Sequence, residues 1–591
     1  MAEAKQEKTL VRSNQVLFKK FSQYLIPTMI TYAALSLNEF VDSMLVSNML
    51  GPDAMAIVGL GAPIMLIMAA IYSLLGSGGS TVYAIAIGKR DHDSAGKSLT
   101  CSMIASLGIG VLLMLIGLAF GSLLARILCK DQVLLAPFET YMRVLFLSAP
   151  LVITILTMAS FLPSAGYPGF STAVNVIANA FNIAMDVIFI KVFHMGVEGA
   201  AWATLVGYVL AAIVVVMAFA SGKIKIYISH RIGESFGLLK EIFNLGRPDS
   251  MNQIGLSIQF AVCNRIASVV GGANGVVALS LCLQSSSLMS VFVGAVIGSA
   301  VPIISVLHGQ RDYSGEAGIL KTSMISQLVV SVAGMIFFMI FAPQAAALYN
   351  IKEAGQLALA VFAFRIYALM YIPRDAVIVY YRYLKVIGLS RYSTVLSALD
   401  SFAAIVPVAW ILAKLFGIKG LFWAFPVASA LLLIIMVICN RRYEKQSAGK
   451  LKTLMLYEHD VEAKPLLDAT ISNDPHDISG ISEKVQELCE ESGVEMRAAM
   501  RAALAVEEIA VYVANKKRAS TYADVLVRLN QGNVEIDFRS LGDAFDPLHD
   551  EEGDIEENLR LLRGVTSSIE TEYLLGMNST RIVIEGQPAA S

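Results

Sequence analysis

The sequence predicts an all-α polytopic membrane protein, with twelve transmembrane helices in two six-helix lobes, followed by a C-terminal cytoplasmic α/β sandwich domain. Three observations predict it: apolar runs long enough to cross a bilayer up to about residue 440, an internal repeat at one fixed offset, and an abrupt rise in charge beyond Arg442. Of the 591 residues 56% are hydrophobic and only 16% charged, with a mean hydropathy of +0.64. A soluble globular protein of ordinary composition does not reach that balance. The 45 basic residues against 47 acidic ones leave a net charge of -2, so no global field argues for nucleic acid or another polyanion as partner. The six cysteines form no CxxC pair and five of them sit in or beside apolar runs, which predicts free thiols rather than disulfides or metal ligands.

Residues 1–20 are polar and read as a cytoplasmic N-terminus; the apolar segment that follows is too long for a signal-peptide core, so the first helix is expected to stay in the protein. Twelve runs of roughly 20 to 28 residues follow, centred from near Leu35 and Leu74 to Ile405 and Leu432. They stop at GKRDHDSAGK, YPGFST and HGQRDYSGEAG, where Gly, Pro and charge end a helix. The boundaries are 21–221 for the N-terminal lobe, 222–247 for a cytoplasmic inter-lobe linker, 248–441 for the C-terminal lobe, 442–452 for a second linker and 453–591 for the soluble domain. Placing the N-terminus inside the cell puts Lys19, Lys20, Lys89, Arg90, Lys97, Lys223, Lys225, Arg231, Arg247, Arg311, Arg382, Lys385, Arg391, Arg441 and Arg442 on the cytoplasmic side, and leaves chiefly Lys130, Lys191, Lys352, Lys414 and Lys419 opposite. The resulting excess, roughly three to one, puts both termini in the cytoplasm of a multi-pass plasma-membrane protein.

An offset of about 221 residues superposes Pro27 on Pro248, Gly51 on Gly272, Arg90 and Asp91 on Arg311 and Asp312, and Gly196 and Trp202 on Gly417 and Trp423. Six helices per unit is an even number, so both units share one orientation, are related by an axis along the membrane normal, and leave a cavity between them.

Acids inside apolar helices mark candidate function, because an ionised carboxylate at mid-membrane costs several kcal/mol unless it has a partner. Glu39 and Asp42 share one face of the first helix, and Asn179, Asn182 and Asp186 one face of the fifth. Two carboxylates with carboxamide oxygens suit Na+, or a dyad holding one proton; the bland alternative is that Asp42 and Asp186 bridge helices near an interface. At the repeat offset Asp42, Asn182 and Asp186 land on Cys263, Ala403 and Pro407, so the second lobe has no copy of the cluster. No other metal site and no catalytic residue is read.

The run LNEFVDSMLVSNMLGPDA, the NxxxD of the fifth helix, GVEGAAWATLVG and the echo NLGRPDSMNQIG carry a resemblance to the multidrug and toxic compound extrusion (MATE) family, prokaryotic type, over about three quarters of the chain. The resemblance implies that Asp42, Asn182, Asp186 and Thr204 form the coupling site for a cation or proton. A glutamate kept in the seventh helix of another branch is Leu256 here, and Asp375 and Asp400 remain open between helix-end contacts and a cavity role.

The soluble domain resembles anti-sigma-factor serine kinases of the histidine-kinase-like ATPase superfamily through LAVEEIAVYVANK, LGDAFDPL and YLLGMNSTRIVIE. That resemblance points to Glu508, Asn515 and Gly542 for nucleotide. The sequence departs from it at Tyr512 and Ser540, and its lid stretch ENLRLLRG lacks paired glycines. A degenerate, non-catalytic domain that binds a cytoplasmic protein partner is expected, with ATP binding left open.

These features imply a secondary active exporter of small organic or cationic molecules, driven by H+ or Na+ through alternating access, with a regulatory domain and no other cofactor. The alternatives are a membrane sensor signalling through the kinase-like domain, and a flippase of a lipid-linked intermediate, which would need a strongly cationic cavity. The acidic run HDEEGDIEE is expected to dock on the loops around Lys89, Lys223 and Arg311 or to be solvated.

Overall fold

The computed structural model describes residues 12–129, 131–347, 354–447, 451–452, 456–458, 464–515, 521–546 and 562–586. The chain divides into two compact units, one of Gln23–Gln310 with Leu320–Asn440, the other of Met1–Ser22, Arg311–Ile319 and Arg441–Ser591.

The first half of the helical unit runs through α1 (Gln15–Leu50), α2 (Pro52–Tyr72), α3 (Gly78–Gly88), α4 (His92–Leu128), α5 (Gln132–Ser164), α6 (Pro168–Val187) and α7 (Val197–Ala220). After a short α8 (Ile232–Ser235) come α9 (Leu239–Gly309), α10 (Tyr313–Ala347), α11 (Ala354–Ala368), α12 (Tyr371–Val386), α13 (Ser390–Ala398) and α14 (Ile405–Gln446). The starts follow local chemistry. Asp91 and Asp131 accept the Ser94 and Val133 amides at 2.9 Å as N-caps, and Pro52 and Pro168 occupy first-turn positions where no amide is needed.

Among the described residues eight helices are long and apolar enough to cross a membrane, nine if the bent pair α11 and α12 is one span. Two of the long helices break inside, at Gly272 (φ 58°, ψ -150°) in α9 and Gly417 (φ 62°, ψ -144°) in α14. A side chain would be strained in that conformation, so glycine is the residue that lets the chain reverse there. The repeat partners Gly51 (φ 87°) and Gly196 (φ 65°) are left-handed too, as are Arg90 (φ 62°) and Arg311 (φ 57°). The offset is therefore a repeat of backbone conformation as well as of sequence. Each half has its own apolar core, around Met68, Phe138 and Ile153 in one and Phe338, Tyr367 and Phe425 in the other. Leu115, Leu118 and Leu123 on α4 and Ile325, Leu328 and Ile336 on α10 stay exposed, as a lipid-facing surface requires. All six cysteines are free.

The halves meet closely. A Cβ on Gly88 would stand 2.1 Å from the Val306 carbonyl oxygen, and one on Gly309, its partner at the repeat offset, 2.2 Å from that of Ile85. Thr28 of α1 packs on Gly298 of α9, while its repeat partner Asp249 bonds Ser77, the repeat partner of Gly298.

Helices run into both expected linkers: 239–247 is the start of α9, and α14 continues through 442–446, because RRYEKQ has no Gly or Pro to stop it. In the second unit a hairpin of β1 (Leu451–Lys452) and β2 (Tyr457–Glu458) precedes β3 (Lys464–Ser472), α15 (Pro475–Glu491), α16 (Met496–Asn515), β4 (Tyr522–Asn530), β5 (Asn533–Leu541), β6 (Ser568–Leu574) and β7 (Met577–Ile584). The five long strands form an antiparallel sheet in the order β3-β4-β5-β7-β6. Its apolar face, with Ile471, Val525, Ile536 and Ile582, packs on Ile481 of α15 and Val506 of α16, the period-two alternation of a half-covered sheet.

Candidate functional site: an acid pair and a central cavity

Helix α6 carries one polar line, Asn175, Asn179, Asn182 and Asp186, at spacings of three and four that share a face. Asn182 Nδ2 donates to Thr204 Oγ1 of α7 at 3.3 Å, and Thr204 donates to the Ala200 carbonyl at 3.1 Å. Asp186 is fully buried, and neither of its oxygens has a hydrogen-bond donor among the described residues. Asp42 on α1 is near enough for its charge to act on that carboxyl. The buried Tyr141 of α5 is near enough to feel both charges. A donor-free carboxylate beside a second one is untenable in a low-dielectric interior unless the two share a proton or hold a cation.

The sequence-predicted Asp42, Asn182, Asp186 and Thr204 thus come together, and Asn179 lies on the same face with its Nδ2 unpartnered. The Glu39 side chain lies outside the described residues. Sequence reasoning missed Tyr141 and Asn175. The signal for Asn175 was present, four residues before Asn179; nothing in the sequence singled out Tyr141.

Between the halves lies a cavity of about 460 Å³, lined among others by Asn175, Tyr32, Tyr72 and Gln253, and by Leu256. Asn175 connects it to the polar line of α6. Met44, Met65 and Gln284 are exposed, and Met68 is buried in the first half's core.

The second half contributes charge. Lys385 donates to Asp249 at 2.7 Å and to Ser77 Oγ at 2.7 Å, and Arg382 pairs with the same Asp249. Arg374 pairs with Asp400 at 3.3 Å. Asp375 accepts from Ser331 at 2.6 Å and Gln327 at 3.3 Å. Arg382 and Lys385, counted on the cytoplasmic side by their place in the chain, both belong to α12 and line the cavity, Lys385 with no exposed surface. Asp375 lines the cavity, while Asp400 sits in a π-helical turn (Leu399–Ala403) as the partner of an arginine. Similar turns at Ser73–Ser77 and Ile188–Val192 flank the cavity and the acid pair, where such irregularities commonly mark function.

In the soluble unit Glu508 is half-buried on α16, Asn515 is exposed at its end, and Gly542 follows β5. Tyr512 is buried with its ring edge-on to Phe545, centroids 5.3 Å apart. The three nucleotide candidates form no hydrogen-bonded cluster among the described residues, Gly542 bonding instead to the Tyr573 hydroxyl through its carbonyl at 3.1 Å. Most of the lid stretch, 557–561, and the acidic run at 549–557 lie outside the described residues.

The geometry defines a polytopic helical membrane protein with a polar cavity between two repeated halves, and the comparisons with known proteins agree. The MatE family model matches residues 27–188. The chain is 22% identical over 431 residues to the multidrug export protein MepA of Staphylococcus aureus (strain N315), covering 72% of this chain and 95% of that one. It is 23% identical over 433 residues to the MepA of Staphylococcus saprophyticus, with the same coverage. Among solved structures it resembles a MATE in complex with MaL6 (TM-score 0.67, 26% identity, 73% of this chain and 97% of that one). It also resembles a multidrug resistance MATE family transporter of the MOP superfamily in an outward-facing conformation (0.68, 26%, 73% and 96%). A third is a MOP superfamily transporter from Pyrococcus furiosus described as having a binding pocket of reversed polarity (0.67, 25%, 74% and 97%). The chain has the helical polytopic fold of MATE transporters, and these relatives are transporters, not enzymes.

Proposed function

We propose that the protein is a secondary active exporter of small organic molecules, driven by the inward movement of H+ or Na+ and working by rocking of two six-helix lobes. Counting both halves of the broken α9 and α14, the bent pair, and α1 as spans makes the twelve crossings expected from the sequence. The observation that carries the reading is the buried, donor-free Asp186 facing Asp42 in the first half alone. Binding one cation or proton there relieves the repulsion between the two carboxylates, and its release on the other side returns the cost. Because only differential affinity shifts a conformational equilibrium, the site drives export if it binds the cation more tightly in one lobe arrangement than in the other.

A cavity of about 460 Å³ suits a single drug-sized molecule. Tyr32 and Tyr72 offer aromatic surface to an organic cation, and the second-half wall is amphoteric. Arg374, Arg382 and Lys385 give the flippase reading more interior charge than the sequence suggested. Each is paired with Asp249 or Asp400, however, which leaves no strongly cationic surface for a lipid diphosphate. In the soluble domain, the Tyr512–Phe545 contact supports a non-catalytic, regulatory role over a nucleotide-driven one.

Purified protein in vesicles, loaded with a fluorescent organic cation and given separate H+ and Na+ gradients, tests the reading. Export should follow one gradient and vanish in Asp186→Asn; export that follows neither gradient overturns it.

A further inference from the structure

The polar face of the soluble domain's sheet is not open to water. Asp468 and Thr470 on β3, Asp524 and Arg528 on β4 and Arg539 on β5 alternate with the core residues and so point away from α15 and α16. Such a face is normally solvated. The side chains of Asp524, Arg528 and Arg539 keep only 3%, 3% and 5% of their surface exposed. Two pieces from elsewhere in the chain cover them: the segment leading into α1, and the loop and first turns between α9 and α10, both within this same unit.

The centre of the contact is Asp312. Its carboxylate accepts both terminal nitrogens of Arg12 at 2.8 Å, Arg539 at 2.7 Å and the Gly315 amide at 2.9 Å. Arg12 also reaches Asp468 at 3.2 Å and Asp524 at 3.4 Å. The Ser13 amide donates to Thr470, which donates to Asp524, and Arg528 donates to the Arg311 carbonyl at 3.1 Å. With side chains 4% and 2% exposed, Arg12 and Asp312 form a bidentate buried pair, the geometry in which an ion pair specifies one arrangement. Gly315 has no room to spare: a Cβ there would stand 2.6 Å from the Asp312 carboxylate and 2.8 Å from Arg12.

We propose that the soluble domain is a latch between the two halves, with the Arg12–Asp312–Arg539 cluster as its bolt. Arg12 lies just before α1, the first helix of the first half. Asp312 lies three residues beyond Gly309, where the second half meets Gly88 and Ile85 of the first. The domain holds both chain segments on one sheet face. Separating the halves at the Gly88–Gly309 seam therefore moves Arg12 away from Asp312 unless the latch releases first. The domain thus biases the transporter toward the arrangement closed at that seam, and a partner or modification that uncovers the sheet face would release it. What release permits rests on the transporter reading; the latch itself does not.

The test uses the full-length protein with spin labels at Lys89→Cys and Lys321→Cys, both exposed near the seam and outside the cluster. Distances are measured without substrate or gradient, so that they stand whether or not export is seen. Asp312→Asn removes the bolt's charge, and Gly315→Ala disturbs it while keeping every charge. Both variants should add a longer-distance population, several-fold larger than in the parent, and Asp312→Glu should restore much of the parent distribution. A distance distribution unchanged in both variants, each eluting as the folded protein, overturns the latch. So does a longer population in Asp312→Asn alone, which would reflect lost charge rather than a released contact.

Discussion

The two halves repeat one backbone but treat their buried acids in opposite ways. In the second half each has partners: Asp249 has Lys385, Arg382 and Ser77, Asp375 has Ser331 and Gln327, and Asp400 has Arg374. In the first half Asp186 has no hydrogen-bond donor among the described residues, and the carboxyl of Asp42 lies near it. Paired acids hold helices together; an unpartnered acid is poised to bind something that arrives and leaves. On the function proposed above, the difference separates a scaffold in the second half from a coupling site in the first.

The comparison breaks first if the acids prove interchangeable. Asp42→Asn or Asp186→Asn should reduce gradient-driven export to that of empty vesicles, while the protein still reaches the membrane folded. Asp375→Asn, which keeps a side chain able to bond Ser331, should retain measurable export. Equal loss in all three, read as initial rates, would mean that the second half shares the coupling task.

The second expected effect is on stability. Asp249→Asn leaves the buried Lys385 and the half-buried Arg382 without their anion, and breaking a buried pair such as Lys385–Asp249 from one side costs about 3–5 kcal/mol. Thermal unfolding in detergent should show it as a marked loss. Replacing Asp249, Arg382 and Lys385 together by Leu, Met and Met should recover most of that loss.

How much of this was legible in the sequence follows from where the signals lie. The acid pair was legible because α6 prints its polar line at helical spacing and the repeat shows that it is unduplicated. The charged wall was not. Counting Lys and Arg by position along the chain uses Arg382 and Lys385 only to assign sidedness, whereas their spacing of three on an otherwise buried α12 directs both into the cavity. Asp249 sits in the RPD run, and only its three-dimensional neighbours reveal its charge partners. The latch was out of reach for the same reason: Arg12, Asp312 and Arg539 are hundreds of residues apart, and no periodicity connects them.

A smaller effect belongs to the groups that orient the pair. Thr204→Val removes the acceptor of Asn182, a loss of about 1 kcal/mol or roughly fivefold in affinity. The half-saturating concentration of the coupling ion should rise by that factor while the maximal rate holds. A change in maximal rate alone would place Thr204 outside the ion site.

The smallest effect tests the repeat itself, at two aspartates that the offset superposes. Asp91 and Asp312 each accept the amide three residues on, from Ser94 and Gly315, both at 2.9 Å. Asp91 is exposed, and bonds from the Ser94 hydroxyl and amide hold its carboxyl below the usual range. Burial alone would raise the Asp312 carboxyl, but the charges of Arg12 and Arg539 outweigh it and hold it well below that range. A depressed carboxyl contributes stability above its unfolded pKa, about 3.9 for Asp, and loses it as pH falls through the folded value. Neither loop should therefore loosen between about pH 5 and pH 8. Asparagine caps a helix about as well as aspartate, so Asp91→Asn should change thermal stability by less than about 0.5 kcal/mol and leave export intact. Asp312→Asn keeps the cap but removes the anion that two buried arginines share, and should cost several times as much. Equal effects of the two substitutions, measured side by side in detergent melts, would mean that Asp312 is only a cap and that the two loops do the same work.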